Sequence, residues 1–206
     1  MPWSPEEAGQ FLQASRGHRL YALFAVGVAL GMRRGELLAL RWSDVDLDER
    51  LVHVRQNVQR LPEVGLVYGS PKTGRSRRTI PLPGQSAKVL RAHRASQAAE
   101  MLAHGLRWTA TDLVFTSTVG TVIEPRNLSR LFDQLIAAAG VRRIRFHDLR
   151  HTCASLLLAQ GVPPRVVMDV LGHSQIAITM DLYSHVMPSA LREAADAIDR
   201  ALGQGE

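Results

Sequence analysis

The apolar run over residues 20–30, LYALFAVGVAL, constrains the fold of this chain more than any other segment. It contains no charged side chain, and it is well short of the roughly 20 residues that a membrane-spanning helix needs. A helix that is apolar on all its faces is buried inside a folded domain. We therefore predict a buried helix over residues 18–30 that ends at Gly31, a residue suited to a helix C-terminus.

The length and composition of the chain are those of one folded domain. With 206 residues, of which 46% are hydrophobic and 21% charged, the chain is long enough for one substantial core and too short for two. Its first residues, MPWSPEEAGQ, form a helix start rather than a secretory or transit segment. The single Cys153 excludes an internal disulfide and fits a reducing compartment, so we predict a cytoplasmic protein without a membrane span.

The charge of the chain favours a polyanionic partner. The net charge is +6 and the isoelectric point is about 10.4. Of the 25 basic residues, 23 are arginines, and only Lys72 and Lys88 are lysines. Arginine forms bidentate bonds to phosphate oxygens, which suits a surface that grips a nucleic-acid backbone. A drift in composition would give the same number of arginines, so arginine content alone does not show that the chain binds nucleic acid.

Local patterns predict a mainly helical domain with a small antiparallel sheet, an α+β fold. Ser4, Pro5 and Glu7 have the order of a capping box with proline at the first helical position, so a helix should follow to about Ala14. Alternating residues over 51–58 predict a strand. Further helices are predicted over 33–42, 86–104 and 125–139, and two later strands of the same sheet over 66–68 and 79–82, joined by a hairpin turn over 69–74.

The last third of the chain is predicted to consist of successive helices. An apolar stripe begins after His147 and includes Cys153, which is predicted to be a core residue, while Arg150 lies on the neighbouring sector. A second amphipathic helix reaches Leu171 and ends at Gly172. Two more helical segments follow over 174–185 and 189–202.

Several of these segments carry groups that would break a phosphodiester without a metal. The reaction needs cationic donors for the phosphate oxygens, an acid for the leaving alkoxide and a base for the attacking hydroxyl. Arg33 opens a short helix whose N-terminal end favours anions, and His147 and Arg150 are three residues apart on one helix. The other candidates are Lys72 at the hairpin tip, flanked by Arg75, Arg77 and Arg78, then His173 after a helix cap, and Tyr183 ten residues beyond it.

Four stretches of the chain resemble the catalytic domain of the tyrosine recombinases, the phage-integrase family of site-specific DNA recombinases. Each stretch alone is moderately specific, and four in the family's order and spacing are strongly so. The resemblance covers the whole chain. The stretches are GMRRGELLALRWSDVD, SPKTGRSRRTIPL, FHDLRHTCASLLLAQG and LGHSQIAITMDLYSHV.

The resemblance implies a role for each matching residue. Arg33 and Arg150 would hold the scissile phosphate, and Glu36 would orient Arg33 rather than react. Lys72 would protonate the departing 5′ oxygen, while His147 would act as the acid/base. His173 would donate a hydrogen bond to the phosphate, and Tyr183 would become the 3′-phosphotyrosyl nucleophile.

The resemblance also implies how the protein works as a whole. The family needs no metal and no nucleotide cofactor, because the phosphotyrosine keeps the energy of the broken bond. The expected partner is double-stranded DNA at recombination sites, bound by a homo-tetramer with exchange of the C-terminal helix, and the chain is expected to be monomeric without DNA. Residues 1–206 would form a single catalytic domain, with the family's N-terminal core-binding domain absent.

Other interpretations of the same residues stay open at this point. A type IB topoisomerase uses similar chemistry, and residues 154–174 could form the helix-turn-helix of a DNA-binding regulator. His147 and His151 could suggest a metal pair, although no third ligand accompanies them. Tyr183 taken alone is more often a half-buried helix residue than a nucleophile. The arginines near Lys72 could contact the DNA backbone or form only a solvated rim, and these are Arg75, Arg77 and Arg78.

Overall fold

The computed structural model describes residues 1–69 and 77–172, together with Ile198 and Gly203. Within these residues the fold is mainly helical, as predicted. No helix in this part of the chain has both the length and the apolar character to cross a membrane. The helices are α1 Pro5–Ala14, α2 Tyr21–Leu30, α3 Arg34–Leu38, α4 Gly84–His104, α5 Pro125–Ala139, α6 Asp148–Ala159 and α7 Pro164–Leu171.

The apolar run forms helix α2 at the centre of the core, as predicted. The helix begins at Tyr21 rather than at residue 18, because the His18 ring accepts a hydrogen bond from the Leu20 N–H at 3.0 Å and holds a turn before it. Phe24 of α2 is fully buried against the rings of Phe11 and Phe132. Burial of each such side chain stabilises the fold by roughly 1.5–3 kcal/mol.

The two helices with the clearest terminal signals are confirmed at their predicted bounds. In α1, the Ser4 hydroxyl accepts from the Glu7 N–H at 3.2 Å, and the Glu7 carboxylate accepts from the Ser4 N–H at 2.9 Å. Helix α5 begins at a proline and ends at Gly140 with φ +65°. Local sequence signals are sufficient to predict these bounds, because the residues that begin and end each helix lie within the segment itself.

The strands form two small antiparallel sheets rather than the single one predicted. The strands are β1 Val45–Asp46, β2 Leu51–Val54, β3 Asn57–Leu61, β4 Gly65–Gly69 and β5 Arg78–Pro81. One sheet has the order β1-β2-β5, and the other pairs β3 with β4.

The predicted strand over 51–58 is therefore wrong as a continuous element. The side chain of Gln56 donates to the carbonyl of Ala39 at 2.7 Å, and this contact with the segment after α3 marks the break between β2 and β3. Strand β5 pairs with β2 and not with β4, so the residues between β4 and β5 join two different sheets. The predicted turn over 69–74 lies outside the described residues beyond Gly69.

The predicted helix over 33–42 is also shorter in the structure. Helix α3 ends at Leu38, and the carbonyl of Leu40 then accepts from the Val114 N–H at 2.8 Å. The Trp42 N–H donates to the carbonyl of Asp112 at 2.8 Å. These long-range bonds draw the backbone out of the helix, although its apolar spacing continues.

Helices α6 and α7 place the last described residues against the core. Helix α6 packs on α2 and on α7, and Cys153 is buried in the contact, as predicted. Burial raises the pKa of the Cys153 thiol to about 12, which makes it an inert core group. Helix α7 ends at Gly172 with φ +70°, also as predicted. The predicted segments 174–185 and 189–202 lie outside the described residues, apart from Ile198.

Candidate active site

The end of α2 and the start of α3 bring the first candidate residues to α6 and α7. Gly31 has φ +58°, and a Cβ there would overlap the side chain of Leu171 and come within 3.1 Å of the Cβ of Cys153. A larger residue would therefore push α7 and α6 away. The carbonyl of Gly31 accepts a hydrogen bond at 2.9 Å from Nη1 of Arg150 on α6.

Glu36 is a buried carboxylate that holds two guanidinium groups. Its side chain is 3% exposed, and its Oε2 accepts from the Arg33 backbone N–H at 2.9 Å. Its Oε1 accepts from Nη1 of Arg33 at 2.8 Å. Arg78 donates from Nη2 to Oε2 at 2.9 Å and from Nη1 to Oε1 at 3.2 Å. The carboxylate thus fixes both the backbone and the side chain of Arg33.

The ionisation of Glu36 follows from these partners. Burial raises the pKa of Glu36, but the hydrogen bonds and charge of Arg78, together with those of Arg33, outweigh burial. The pKa therefore lies below its ordinary value of 4.5. Glu36 is ionised at neutral pH and serves as a counter-ion that orients Arg33.

Arg150 lies beneath the same site as a buried cation. Its side chain is 2% exposed. Burial, together with the positive charges of Arg33 and Arg78, lowers the pKa of Arg150 to about 9. The guanidinium is still protonated at neutral pH. A buried cation beside two others favours any anion that enters, because such an anion relieves their mutual repulsion.

Arg78 does not occupy the position predicted for it. Its side chain is only 6% exposed and bridges Glu36 to the backbone carbonyl of Val170, to which Nε donates at 2.8 Å. A solvated rim is therefore wrong for Arg78, because its side chain is buried and bonded to Glu36 and Val170. Arg77, the preceding residue, is exposed, and its contact with DNA stays a prediction.

His147 lies on the exposed side of the same region, at the N-terminal end of α6. Burial and the charges of His151 and Arg150 hold the pKa of His147 below its ordinary value of 6.5. The ring is therefore neutral at pH 7 and can accept a proton. The rings of His147 and His151 meet edge to face with centroids 5.5 Å apart.

The described residues around His147 and His151 do not complete a metal site. Among the residues that the structure describes, no group of three His, Cys, Asp or Glu side chains is placed to hold a metal ion. The helix-turn-helix interpretation gives no role to the cluster that Glu36 forms with Arg33 and Arg78.

Four of the predicted site residues lie outside the described part of the chain. They are Lys72, Arg75, His173 and Tyr183. Two of them are close in sequence to described residues of the site. Gly172, directly before His173, has its carbonyl 3.1 Å from Nη2 of Arg33. Lys72 belongs to the segment that leads into β5 and Arg78.

The arrangement concentrates positive charge at one place in the fold. Arg33, Arg78 and Arg150 contribute three positive charges, and Glu36 contributes one negative charge. Arg33 is the most exposed of these groups, with 39% of its side chain accessible. An anion with several oxygens, such as a phosphodiester, would be stabilised there by charge and by hydrogen bonds.

Replacing Glu36 with glutamine is expected to destabilise the protein by about 3–5 kcal/mol, because the change leaves buried guanidinium groups without their counter-ion. Urea unfolding at pH 7 measures this loss. The matched control is Glu49→Gln at an exposed position, which should change the free energy of unfolding by less than about 0.5 kcal/mol. Equal losses for the two variants would contradict the structural role of Glu36.

The Glu36 carboxylate should also make the free energy of unfolding depend on pH. The folded-state pKa of Glu36 is depressed, so its contribution to stability is present above 4.5 and is lost as the pH falls through the folded-state pKa. The difference in unfolding free energy between the wild type and Glu36→Gln should therefore shrink below pH 4.5. A difference that stayed constant down to acid pH would contradict this assignment.

Comparison with known proteins identifies the family. The family model described as the phage integrase family matches residues 4–189. A protein named tyrosine recombinase XerC-like, from Caldanaerobacter subterraneus subsp. tengcongensis, is 35% identical over 208 aligned residues, which cover 96% of this chain and 53% of the relative. The chain spans about half the length of the curated relatives that it matches.

Solved structures agree with the family match. The crystal structure of XerA recombinase is 29% identical to this chain, with a TM-score of 0.73, and the match covers 96% of this chain and 64% of the other. The Tn1549 transposon integrase in complex with circular intermediate DNA is 20% identical with a TM-score of 0.81, covering 96% and 67%. That second likeness concerns the fold alone. Because the family model matches residues 4–189, which is most of the 206 residues, the chain belongs to the phage integrase family.

Proposed function

We propose that this chain carries out site-specific DNA recombination by cleaving and rejoining strands through a 3′-phosphotyrosyl intermediate. The observation that carries the proposal is the buried Glu36 carboxylate, which orients Arg33 beside the buried Arg150. This arrangement supplies the cationic donors that a pentacoordinate phosphorus needs in the transition state. Membership of the phage integrase family supports the same reaction.

In the proposed reaction, Arg33 and Arg150 bind the non-bridging oxygens of the scissile phosphate. The Tyr183 oxygen attacks phosphorus, and the bond from phosphorus to the 5′ oxygen breaks. Lys72 donates a proton to that leaving oxygen, while His147, neutral at pH 7, accepts the proton of the tyrosine hydroxyl. His173 donates a hydrogen bond to the phosphate. Attack by another strand's 5′ hydroxyl then reverses these steps and restores a phosphodiester.

The proposed partner is double-stranded DNA at recombination sites, bound by a homo-tetramer that exchanges C-terminal helices. The basic charge of the chain supports a DNA partner. The Tn1549 integrase, which shares the fold, was solved with DNA. The proposed location is the cytoplasm. The proposed active unit is residues 1–206 as one catalytic domain, and no metal or nucleotide takes part in the proposed steps.

A nicked suicide substrate tests the proposal. Such a DNA loses the short strand that carries the 5′ hydroxyl after cleavage, so the covalent intermediate cannot religate and accumulates. We expect a protein–DNA adduct that survives denaturing gel electrophoresis and forms equally well with an excess of EDTA. Failure to form an adduct on a cognate attachment site, or an adduct that EDTA prevents, would contradict the proposal.

Adduct formation and plasmid relaxation, measured with the same protein, distinguish the proposed recombinase from a type IB topoisomerase. A recombinase should form the adduct on its attachment site and leave unrelated supercoiled plasmid untouched. Relaxation of any supercoiled plasmid, without preference for sequence, would favour the type IB topoisomerase instead.

A further inference from the structure

Arg78 lies where three elements of the site meet. It is the first residue of β5, and its side chain is 6% exposed, whereas the neighbouring Arg77 is exposed. Successive residues of an extended chain point to opposite sides, so these two arginines serve different surfaces. Only Arg78 points into the protein.

The guanidinium of Arg78 bonds to two elements that are distant in sequence. Its two terminal nitrogens donate to both oxygens of Glu36 on α3, at 3.2 and 2.9 Å. Its Nε donates at 2.8 Å to the carbonyl of Val170 in the last turn of α7. A planar guanidinium group has donors on two edges and can make all of these bonds at once, whereas a lysine ammonium group could not.

The end of α7 packs directly against the same side chain. A Cβ added to Gly172 would lie 3.0 Å from Cδ and 3.0 Å from Nη1 of Arg78. On the other side of this residue, the carbonyl of Gly172 accepts from Nη2 of Arg33 at 3.1 Å. Gly172 is therefore held between Arg33 and Arg78, directly before His173.

We infer that Arg78 is a positioning residue that couples the orientation of Arg33 to the backbone leading into His173, and that it does not contact DNA. The coupling has two routes from one guanidinium, one through the Glu36 carboxylate and one through the carbonyl of Val170 and the contact with Gly172. Each of the three guanidinium nitrogens of Arg78 already donates to a protein oxygen, so a DNA phosphate would have to compete with these bonds. The kinetic consequence of this inference rests on the proposed function.

Two adjacent substitutions test the inference. Arg78→Gln and Arg77→Gln each remove one positive charge, from a buried and an exposed position respectively. Single-turnover cleavage of the suicide substrate at saturating DNA gives the rate constant, and fluorescence anisotropy gives the Kd for DNA. Arg78→Gln should lower the saturated rate by about 100-fold, as expected for a misplaced reacting group, with the Kd little changed. Arg77→Gln, at the exposed position predicted to contact the DNA backbone, should instead raise the Kd, so the two neighbouring substitutions should give opposite patterns.

Two outcomes would overturn the inference. One is an Arg78→Gln protein that binds DNA more weakly but cleaves at the wild-type rate once saturated, which is the behaviour of a phosphate contact. The other is an Arg78→Gln protein with both constants unchanged. If Arg78→Gln does not fold, Arg78→Lys replaces it. Lysine keeps the charge without the fork, so it too should lower the saturated rate and spare the Kd, and the same outcomes apply.

A second readout does not depend on activity. The pKa of Glu36 can be followed from the carboxyl carbon of ¹³C-labelled glutamate by NMR, with the signal assigned through Glu36→Gln. Loss of the Arg78 charge and hydrogen bonds should raise this pKa, and Arg77→Gln should not. An unchanged Glu36 pKa in Arg78→Gln would overturn the coupling. If the wild-type protein formed no adduct with DNA, the proposed function would fail while this readout still tested the coupling.

Discussion

Replacing Tyr183 with phenylalanine should abolish the covalent protein–DNA adduct while leaving DNA affinity nearly unchanged. The substitution removes a single oxygen atom, which is the proposed nucleophile, and keeps the size and apolar character of the ring. No other group in the proposed reaction can form the phosphotyrosyl bond in its place. Denaturing gels with labelled suicide DNA measure the adduct, and mass spectrometry of the digested adduct should place the nucleotide on the peptide that contains Tyr183.

The matched control for this substitution is Tyr68→Phe. Tyr68 lies on β4 with its side chain 47% exposed, far in sequence from the last helices. This variant should form the adduct at the wild-type rate. An adduct that persisted in Tyr183→Phe, or that mapped to a different peptide, would refute the assignment of the nucleophile.

Replacing Arg150 with methionine should lower the rate of strand cleavage by about a thousandfold, on the scale of losing one transition-state donor. Methionine keeps the unbranched apolar bulk of the side chain and removes its charge. Burial and the positive charges of Arg33 and Arg78 already disfavour the charge of Arg150, so its removal relieves that repulsion, while the lost bond to the Gly31 carbonyl costs about 1–3 kcal/mol. The folded protein should therefore survive, and single-turnover kinetics at saturating DNA isolate the chemical defect.

Two further variants show whether the Arg150 effect is specific. Arg150→Lys keeps a positive charge but loses the planar guanidinium group, so its cleavage rate should also be severely reduced. Arg145→Met removes the same charge three residues before α6, from a side chain that is 80% exposed and paired with Asp148. Its cleavage rate at saturating DNA should stay close to that of the wild type. Comparable defects in Arg145→Met and Arg150→Met would indicate general electrostatic attraction of DNA rather than a role at the scissile phosphate.

The sequence predicted those parts of the fold whose signals are local. The capping box of α1, the proline and glycine that bound α5, and the glycine that ends α7 are each satisfied within a few residues. The apolar run that became α2 is equally local, because a segment without a polar face has to be buried. Chemistry and spacing indicated the candidate residues, and the family resemblance added the role of each.

The pairing of the strands could not be predicted from the same signals. Alternation marks β2 and β3 as one run, and nothing in it reveals that Gln56 bonds to Ala39 and interrupts the strand. Alternation also does not say that β5 pairs with β2 and leaves β4 to β3. Strand partners depend on contacts between distant parts of the chain, so periodicity gives the elements without their order.

For Arg78, one of the two roles predicted from the sequence, a solvated rim, is wrong. In the string RSRR it cannot be told from Arg77 by composition or charge, and both were predicted to face DNA or solvent. The available signal was the strand that follows, since residues of a strand alternate between its faces. The sequence does not show which face of β5 is buried or that Glu36 lies opposite that face. Both follow from the folded structure, in which the Arg78 side chain bonds to Glu36 on α3 and to Val170 on α7.

We propose above all that Arg33, at the start of α3, and Arg150, on α6, neutralise the charge of one scissile phosphate. A suicide substrate with a neutral methylphosphonate at the scissile position tests it most directly, because this linkage lacks the charge that Arg150 would offset. On this DNA, the thousandfold defect expected for Arg150→Met should shrink to about tenfold or less for at least one of the two methylphosphonate isomers. A defect of the same size on neutral and charged linkages would contradict the claim.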